Sequence, residues 1–213
     1  MDLLPVGLKV SGKPVLVVGG GAVALRKVRM LLRCGARVSV VSPAARPELG
    51  KLAAARKIVW RRRFFKRCDL MSVNPVMVFA CTDRPRVNEI VAKSSAAKRI
   101  WVNRADSPAQ SGVHIPSVAR LGRLTLAIFS GGRSPAFVKY VRRRLERALG
   151  SRVSAELDIL AEFRRELKVR VASVSRRKRI LTRLIEDGTL KRIAARPARS
   201  RPALIRKFLE GRM

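Results

Sequence analysis

Apolar residues along this chain arrive in three rhythms. Residues 15–18 (Val-Leu-Val-Val) form an unbroken apolar run, as a strand buried on both faces requires. From Ala22 the period changes: Ala24, Val28, Leu31 and Leu32 fall on one helical face, and Gly35 supplies a stop. A second run, Arg37-Val38-Ser39-Val40-Val41, follows at once. Residues 58–60, 76–80 and 100–103 read as three more short strands, the last after a helix over roughly residues 87–97. Strands alternating with helices predict an α/β domain with a parallel, doubly wound sheet.

Around Gly112 this rhythm ends. Residues 113–118 and 123–128 alternate or run apolar with Leu121-Gly122 between them, which predicts a β-hairpin. Ser134 then suits an N-cap and Pro135 the first position of a helix running to about Leu149. Beyond Ser151 the pattern is helical and basic. Apolar stripes occur at Leu157, Leu160, Ala161, Phe163 and Leu167, at Ile180, Leu184 and Ile185, and at Leu204, Ile205, Phe208 and Leu209. One stripe per helix is too little to fold alone, so these helices are expected to pack on the Ser134 helix or on a second subunit, giving a homodimer built on residues 114–213. Residues 196–202 read as a loop. The expected division is a dinucleotide-binding domain at 1–112, a dimerisation element at 113–150 and a helical domain at 151–213.

The turn between the first strand and helix carries the chemistry. Gly19, Gly21 and Ala24 give the form G-x-G-x-x-A, in which the first glycine turns the chain sharply and the second lets backbone approach a phosphate. The small third residue lets helix and strand pack closely. The helix N-terminus then offers free N–H groups and a positive dipole end to a pyrophosphate. With these flanks the unit reads as Rossmann-like, although a glycine-rich turn in another α/β protein has the same letters. The second strand ends at Val41-Ser42-Pro43 without the carboxylate that usually holds the ribose 2′-hydroxyl. Ser42 can donate one hydrogen bond there and Arg46 is near enough to meet a 2′-phosphate, so these residues leave NAD and NADP both open.

Ligands of such sheets sit beyond the carboxyl ends of the strands. Cys81-Thr82-Asp83 follows the fourth strand and Asn103-Arg104-Ala105-Asp106 the fifth. Asp106 is the candidate general base, its proton affinity raised by partial desolvation; the plainer reading is an Asx turn. Asp83 reads as a helix-start residue, with Thr82 and Asp83 brushing the cofactor. Arg133, beside the helix N-terminus at Ser134, makes carboxylate binding plausible in the 129–135 turn, which otherwise only joins strand to helix. Asn103, Ser130, Gly131, Arg133 and Ser134 are the candidate substrate contacts.

Composition adds one large fact. The 213 residues are 47% hydrophobic, enough for a real core, and 48 Lys+Arg against 14 Asp+Glu give a net charge of +34. The charge covers both halves, which fits a solvated basic surface, a polyanionic small substrate or nucleic acid. Aromatic residues are only 5%, and zinc-finger spacing and ribonucleoprotein motifs are lacking, so no specific nucleic-acid partner is expected. Cys34, Cys68 and Cys81 form no C-x-x-C pair and read as thiols of a reducing cytoplasm. Residues 1–5 do not read as a signal peptide, and no apolar run approaches membrane-span length.

Taken as a set, VVGGGAVALRK (17–27), ACTD (80–83), VNRADSP (102–108), Ile115-Pro116-Ser117 and SGGRSP (130–135) resemble the precorrin-2 dehydrogenase family of the siroheme-synthase N-terminal type. The resemblance covers residues 1 to about 150. It implies NAD-dependent oxidation of precorrin-2 to sirohydrochlorin, in some members followed by insertion of ferrous iron, with Asp106 at the position of the aspartate implicated in both steps. It places cofactor contacts at Gly19, Gly21, Ala22, Val23, Ser42, Pro43 and Ala44 and tips the cofactor toward NAD. His114 stands where an apolar residue is usual; it reads as an iron ligand or proton acceptor, or as a hydrogen-bonded strand histidine. Against this enzyme stand a non-catalytic NAD-sensing module and a basic nucleic-acid-associated protein.

Overall fold

The computed structural model describes residues 3–209 and divides into two compact units, Met1–Ile115 and Pro116–Met213. In the first, five parallel strands lie in the order β3-β2-β1-β4-β5, with β1 Pro14–Val18, β2 Arg37–Val41, β3 Ile58–Arg61, β4 Met77–Ala80 and β5 Trp101–Arg104. The sheet is flanked by α1 Ala22–Arg33, α2 Pro47–Ala54, α3 Asp69–Val73 and α4 Pro85–Ala96. Chain order reverses between β1 and β4, and that is where open sheets of this kind leave a crevice for a ligand.

Strand alternation explains how both faces become dry. Val15 and Val17 look to one side, where Val28, Leu31 and Leu49 cover them; Leu16 and Val18 look to the other, against Leu70 and Val91. Each such side chain contributes roughly 1.5–3 kcal/mol when fully buried. The sequence pattern missed α2 and α3. Both are short, and α2 announces itself only through Pro47 at its first turn and Glu48 beside it.

In the second unit, β6 Ser117–Leu121 and β7 Leu124–Ile128 pair antiparallel, followed by α5 Pro135–Leu149, α6 Arg152–Arg170, α7 Val174–Glu186, α8 Thr189–Ala194 and α9 Arg201–Leu209. The hairpin turns at Gly122-Arg123, one residue later than the pattern implies, with Gly122 at φ +61°. The first strand starts at Ser117, because Val113 and Ile115 turn away to pack against the core of the first sheet. His114 therefore lies in a loop and not on a strand. Ser134 caps α5 by accepting the Phe137 N–H at 3.2 Å.

The expectation that the last helices lack a core of their own is overturned. Ile159, Phe163, Leu184, Leu190, Ile193 and Ile205 are buried together, with Phe163 and Phe208 edge to face at 5.5 Å. The missing piece was α8, which is only six residues long but contributes three of these buried side chains or their neighbours, Leu190, Ile193 and Ala194.

Candidate functional site

The carboxyl ends of β1, β4 and β5 bring the glycine turn and the Asp106 loop to one edge. Gly19 has φ +124°, and a Cβ there would meet Cys81 O at 2.5 Å, so the turn is pressed against the residue that follows β4. Gly20 is equally confined: a Cβ would run into Ala44 O and lie 2.7 Å from Ala45 Cα. Gly21, by contrast, faces open space, and α1 starts there with no side-chain cap and no acidic residue in its first turn. Leu25 N–H donates to Gly21 O at 3.0 Å. The backbone N–H groups of Ala22 and Val23 precede it, the donors that a pyrophosphate takes at a helix start. A cleared glycine before an uncapped, uncharged helix start fits a dinucleotide.

Ser42 is buried at the end of β2 and its hydroxyl donates to Ala44 O at 2.6 Å, so its single proton is spent inside the turn rather than offered to a ribose. Pro43 and Ala44 belong to that turn, which Arg46 N–H pins to Gly20 O at 2.9 Å.

After β4, Asp83 is exposed and does not cap α4, whose N-cap is Arg84. Thr82 does the local work: its hydroxyl accepts the Arg84 N–H and donates to Asn88 Oδ1 at 2.8 Å. Asn88 is fully buried, takes the Thr82 N–H at 3.0 Å and returns Nδ2–H to Thr82 O. The same side chain also contributes, after Arg104, to lowering the Asp106 pKa. Asn88 was not singled out in the sequence, where an asparagine in the first turn of a helix looks like any other.

Asp106 is gripped by Arg104, which donates from Nη2 to Oδ2 at 2.7 Å and from Nε to Oδ1 at 3.3 Å. Arg104 also donates to Gln110 Oε1, and its backbone N–H to Ser111 Oγ at 2.8 Å. The Arg104 guanidinium holds the Asp106 carboxyl below the usual carboxylate range, against the partial burial that would raise it. The expected raised proton affinity is thus corrected: a cation sits beside the carboxylate, and it stays ionised. Asn103 is turned inward, its Nδ2–H donating to Val113 O at 2.8 Å.

The 129–134 loop belongs to the second unit. Gly131 and Gly132 have φ +61° and +81°, Arg133 N–H donates to Ser130 O, and Ser130 Oγ accepts the Ser134 N–H at 3.4 Å. Among the described residues, no group of three or more His, Cys, Asp and Glu side chains could hold a metal ion, and no helix is long and apolar enough to cross a membrane.

Residues 6–117 match a family model described as putative NAD(P)-binding, a span that takes in the glycine turn, both loops and the whole five-stranded sheet. The chain belongs to this family. It is 38% identical over 196 residues to siroheme synthase 3 of Aeromonas hydrophila subsp. hydrophila, covering 92% of this chain and 42% of that one. Siroheme synthase of Tolumonas auensis is 35% identical over 179 residues, covering 84% and 37%. The chain thus spans about two fifths of the length of the curated relatives it matches. Among solved structures it resembles SirC, a precorrin-2 dehydrogenase, with a TM-score of 0.77 and 27% identity over 96% of this chain and 100% of that one. Arg104 is a buried cation two residues before Asp106.

Proposed function

We propose that the chain oxidises precorrin-2 to sirohydrochlorin in siroheme biosynthesis, with a nicotinamide dinucleotide, NAD as the resemblance implies, accepting the hydride. The observation that carries this reading is that the Gly19–Gly21 turn follows β1 and the Asp106 loop follows β5, on either side of β4, so that both lie at the carboxyl ends of one parallel sheet. The full-length likeness to SirC supports the substrate class.

The dinucleotide, when bound, supplies an acceptor for a hydride leaving a macrocycle carbon. The protein's part is electrostatic. Loss of a hydride leaves positive charge on the macrocycle, and an Asp106 carboxylate kept ionised by Arg104 stabilises that charge before the compensating proton departs. Arg104 holds the carboxylate in one orientation through two donors, so no reorganisation is needed as charge develops. Candidate contacts for the substrate's acid groups are Ser130, Gly131, Arg133 and Ser134 at the start of α5, with Asn103 supporting the loop after β5. Ferrous iron enters this reading only as the substrate of a following insertion step.

A homodimer fits α5, which leaves Phe137 and Tyr140 exposed. A cytoplasmic setting fits three free cysteines. The test is to supply the protein with precorrin-2 and NAD and follow reduced nicotinamide and sirohydrochlorin by absorption. Equal formation of both supports the reading; dinucleotide binding without turnover would leave only a sensing module.

A further inference from the structure

The corner between α6 and α7 carries one sign of charge. Residues 167–185 hold seven Lys and Arg and no Asp or Glu. Arg170 pairs with Glu166 and Arg183 with Asp187, but among the described residues no ion pair engages Lys168, Arg176, Lys178 or Arg179.

Apolar side chains stand among these cations in water. Val169 is 88% exposed and Val174 71%, one on either side of the turn that joins the helices. Arg177 holds that turn in shape, its Nη1–H groups donating to Val171 O at 2.8 Å and to Ala172 O at 3.2 Å. Beside it, Leu167 and Leu181 line a groove of about 330 Å³ together with Arg164, Lys168 and Lys178.

The chemistry of the face selects among partners. A second copy of the chain brings the same +34 charge and is repelled. A nucleic acid would engage the cations, but residues 164–185 include no aromatic side chain on which a base could stack, and the two valines would stay in water. An anionic bilayer surface satisfies both sets at once: the valines enter the boundary between headgroups and acyl chains while the cations remain at the level of the phosphates.

We infer that the α6–α7 corner docks the chain peripherally on a membrane containing anionic phospholipid, with Val169 and Val174 entering the interface and Lys168 and Lys178 meeting headgroup phosphates. Docking of this kind needs no spanning helix, and it does not depend on the dinucleotide reading above.

The experiment is sedimentation of the whole protein with vesicles of phosphatidylcholine alone and of phosphatidylcholine mixed equally with phosphatidylglycerol. The mixed vesicles are expected to carry the protein down and the neutral ones to leave it in solution. Lys178→Glu should weaken binding to the mixed vesicles at least about fivefold, the share of one cation at an anionic surface. Val174→Asp should weaken it by at least as much, because it also takes away an apolar contact. Lys98→Glu and Val6→Asp make the same changes at exposed residues of the first unit and should keep most of the binding, which separates the corner from the general field of a +34 protein. Equal losses in the two pairs of variants overturn the inference, as does sedimentation with neither vesicle or equally with both. Polyuridylate bound in preference to the mixed vesicles, with Val174→Asp without effect on it, would assign the cations to nucleic acid and overturn it as well.

Discussion

Arg104 clasps Asp106 through two donors on one face of the guanidinium, from a side chain only 6% exposed, while the carboxylate keeps 25% of its surface open. The buried partner is the cation, and the more open one is the carboxylate. That arrangement fixes both the charge state of Asp106 and its direction.

Replacing Asp106 by Asn keeps the shape and removes the charge. Dehydrogenation is expected to fall by about 10²–10⁴-fold with dinucleotide affinity unchanged. Steady-state rates alongside calorimetry check this, and full retained activity would take Asp106 out of the mechanism.

Arg104→Leu tests the pair through pH. Because Arg104 lowers the Asp106 pKa, the carboxylate is ionised throughout the neutral range, and the stability the pair contributes is present above the unfolded value and lost as pH falls through the folded one. Without the guanidinium the acid limb of kcat/KM should move to higher pH. An unmoved limb would show that Asp106 does not set it.

Gly20 and Gly21 of the turn should separate by function. Gly20→Ala forces a methyl into Ala44 and Ala45 backbone and should cost several kcal/mol or prevent folding, roughly the range of overpacking and strain. Gly21→Ala meets nothing within 4 Å at an ordinary φ of −80°, so its melting temperature should hold while dinucleotide binding weakens at least about tenfold. Thermal melts and titration of both variants decide it.

These contrasts show where the sequence was legible. The five strands and α1 could be read because apolar runs and one helical stripe leave little choice of register. The short helices α2, α3 and α8 were missed, since five to eight residues carry too little periodicity, and without α8 the last helices seemed to have no core. Gly20 hid inside its motif as an unspecified position. The charge state of Asp106 was misjudged because desolvation was weighed without its neighbour Arg104, the last residue of β5, whose guanidinium reaches the carboxylate just past the strand end. Asn88 acts through a fold-level contact and had no local signal.

Asp69 is expected to be the most acid-sensitive structural group. It is wholly buried, which would raise its pKa, but Arg63, the Lys66 N–H and Arg61 outweigh that and hold it low. Asp69→Asn should destabilise by about 3–5 kcal/mol at neutral pH by leaving two cations unmatched. The gap to the unaltered protein should narrow as pH falls below the ordinary carboxylate value, where the unfolded chain takes up the proton first, and close as pH passes the lowered folded value, as denaturant titrations at several pH values would show.

The charge of +34 predicts a kinetic effect. Acidic side groups of a tetrapyrrole would be steered inward at low ionic strength, so KM for precorrin-2 should rise with added salt. A KM independent of salt would remove steering from the account.

The thiol that follows β4 bears on durability. Cys81 is packed under the glycine turn, and burial pushes it up to about 11 despite the nearby Lys27 ammonium. At neutral pH it is almost wholly protonated, a poor target for peroxide or alkylating reagents. Oxidative damage would instead fall on exposed Cys68, beyond β3, sparing the backbone against which the glycine turn packs.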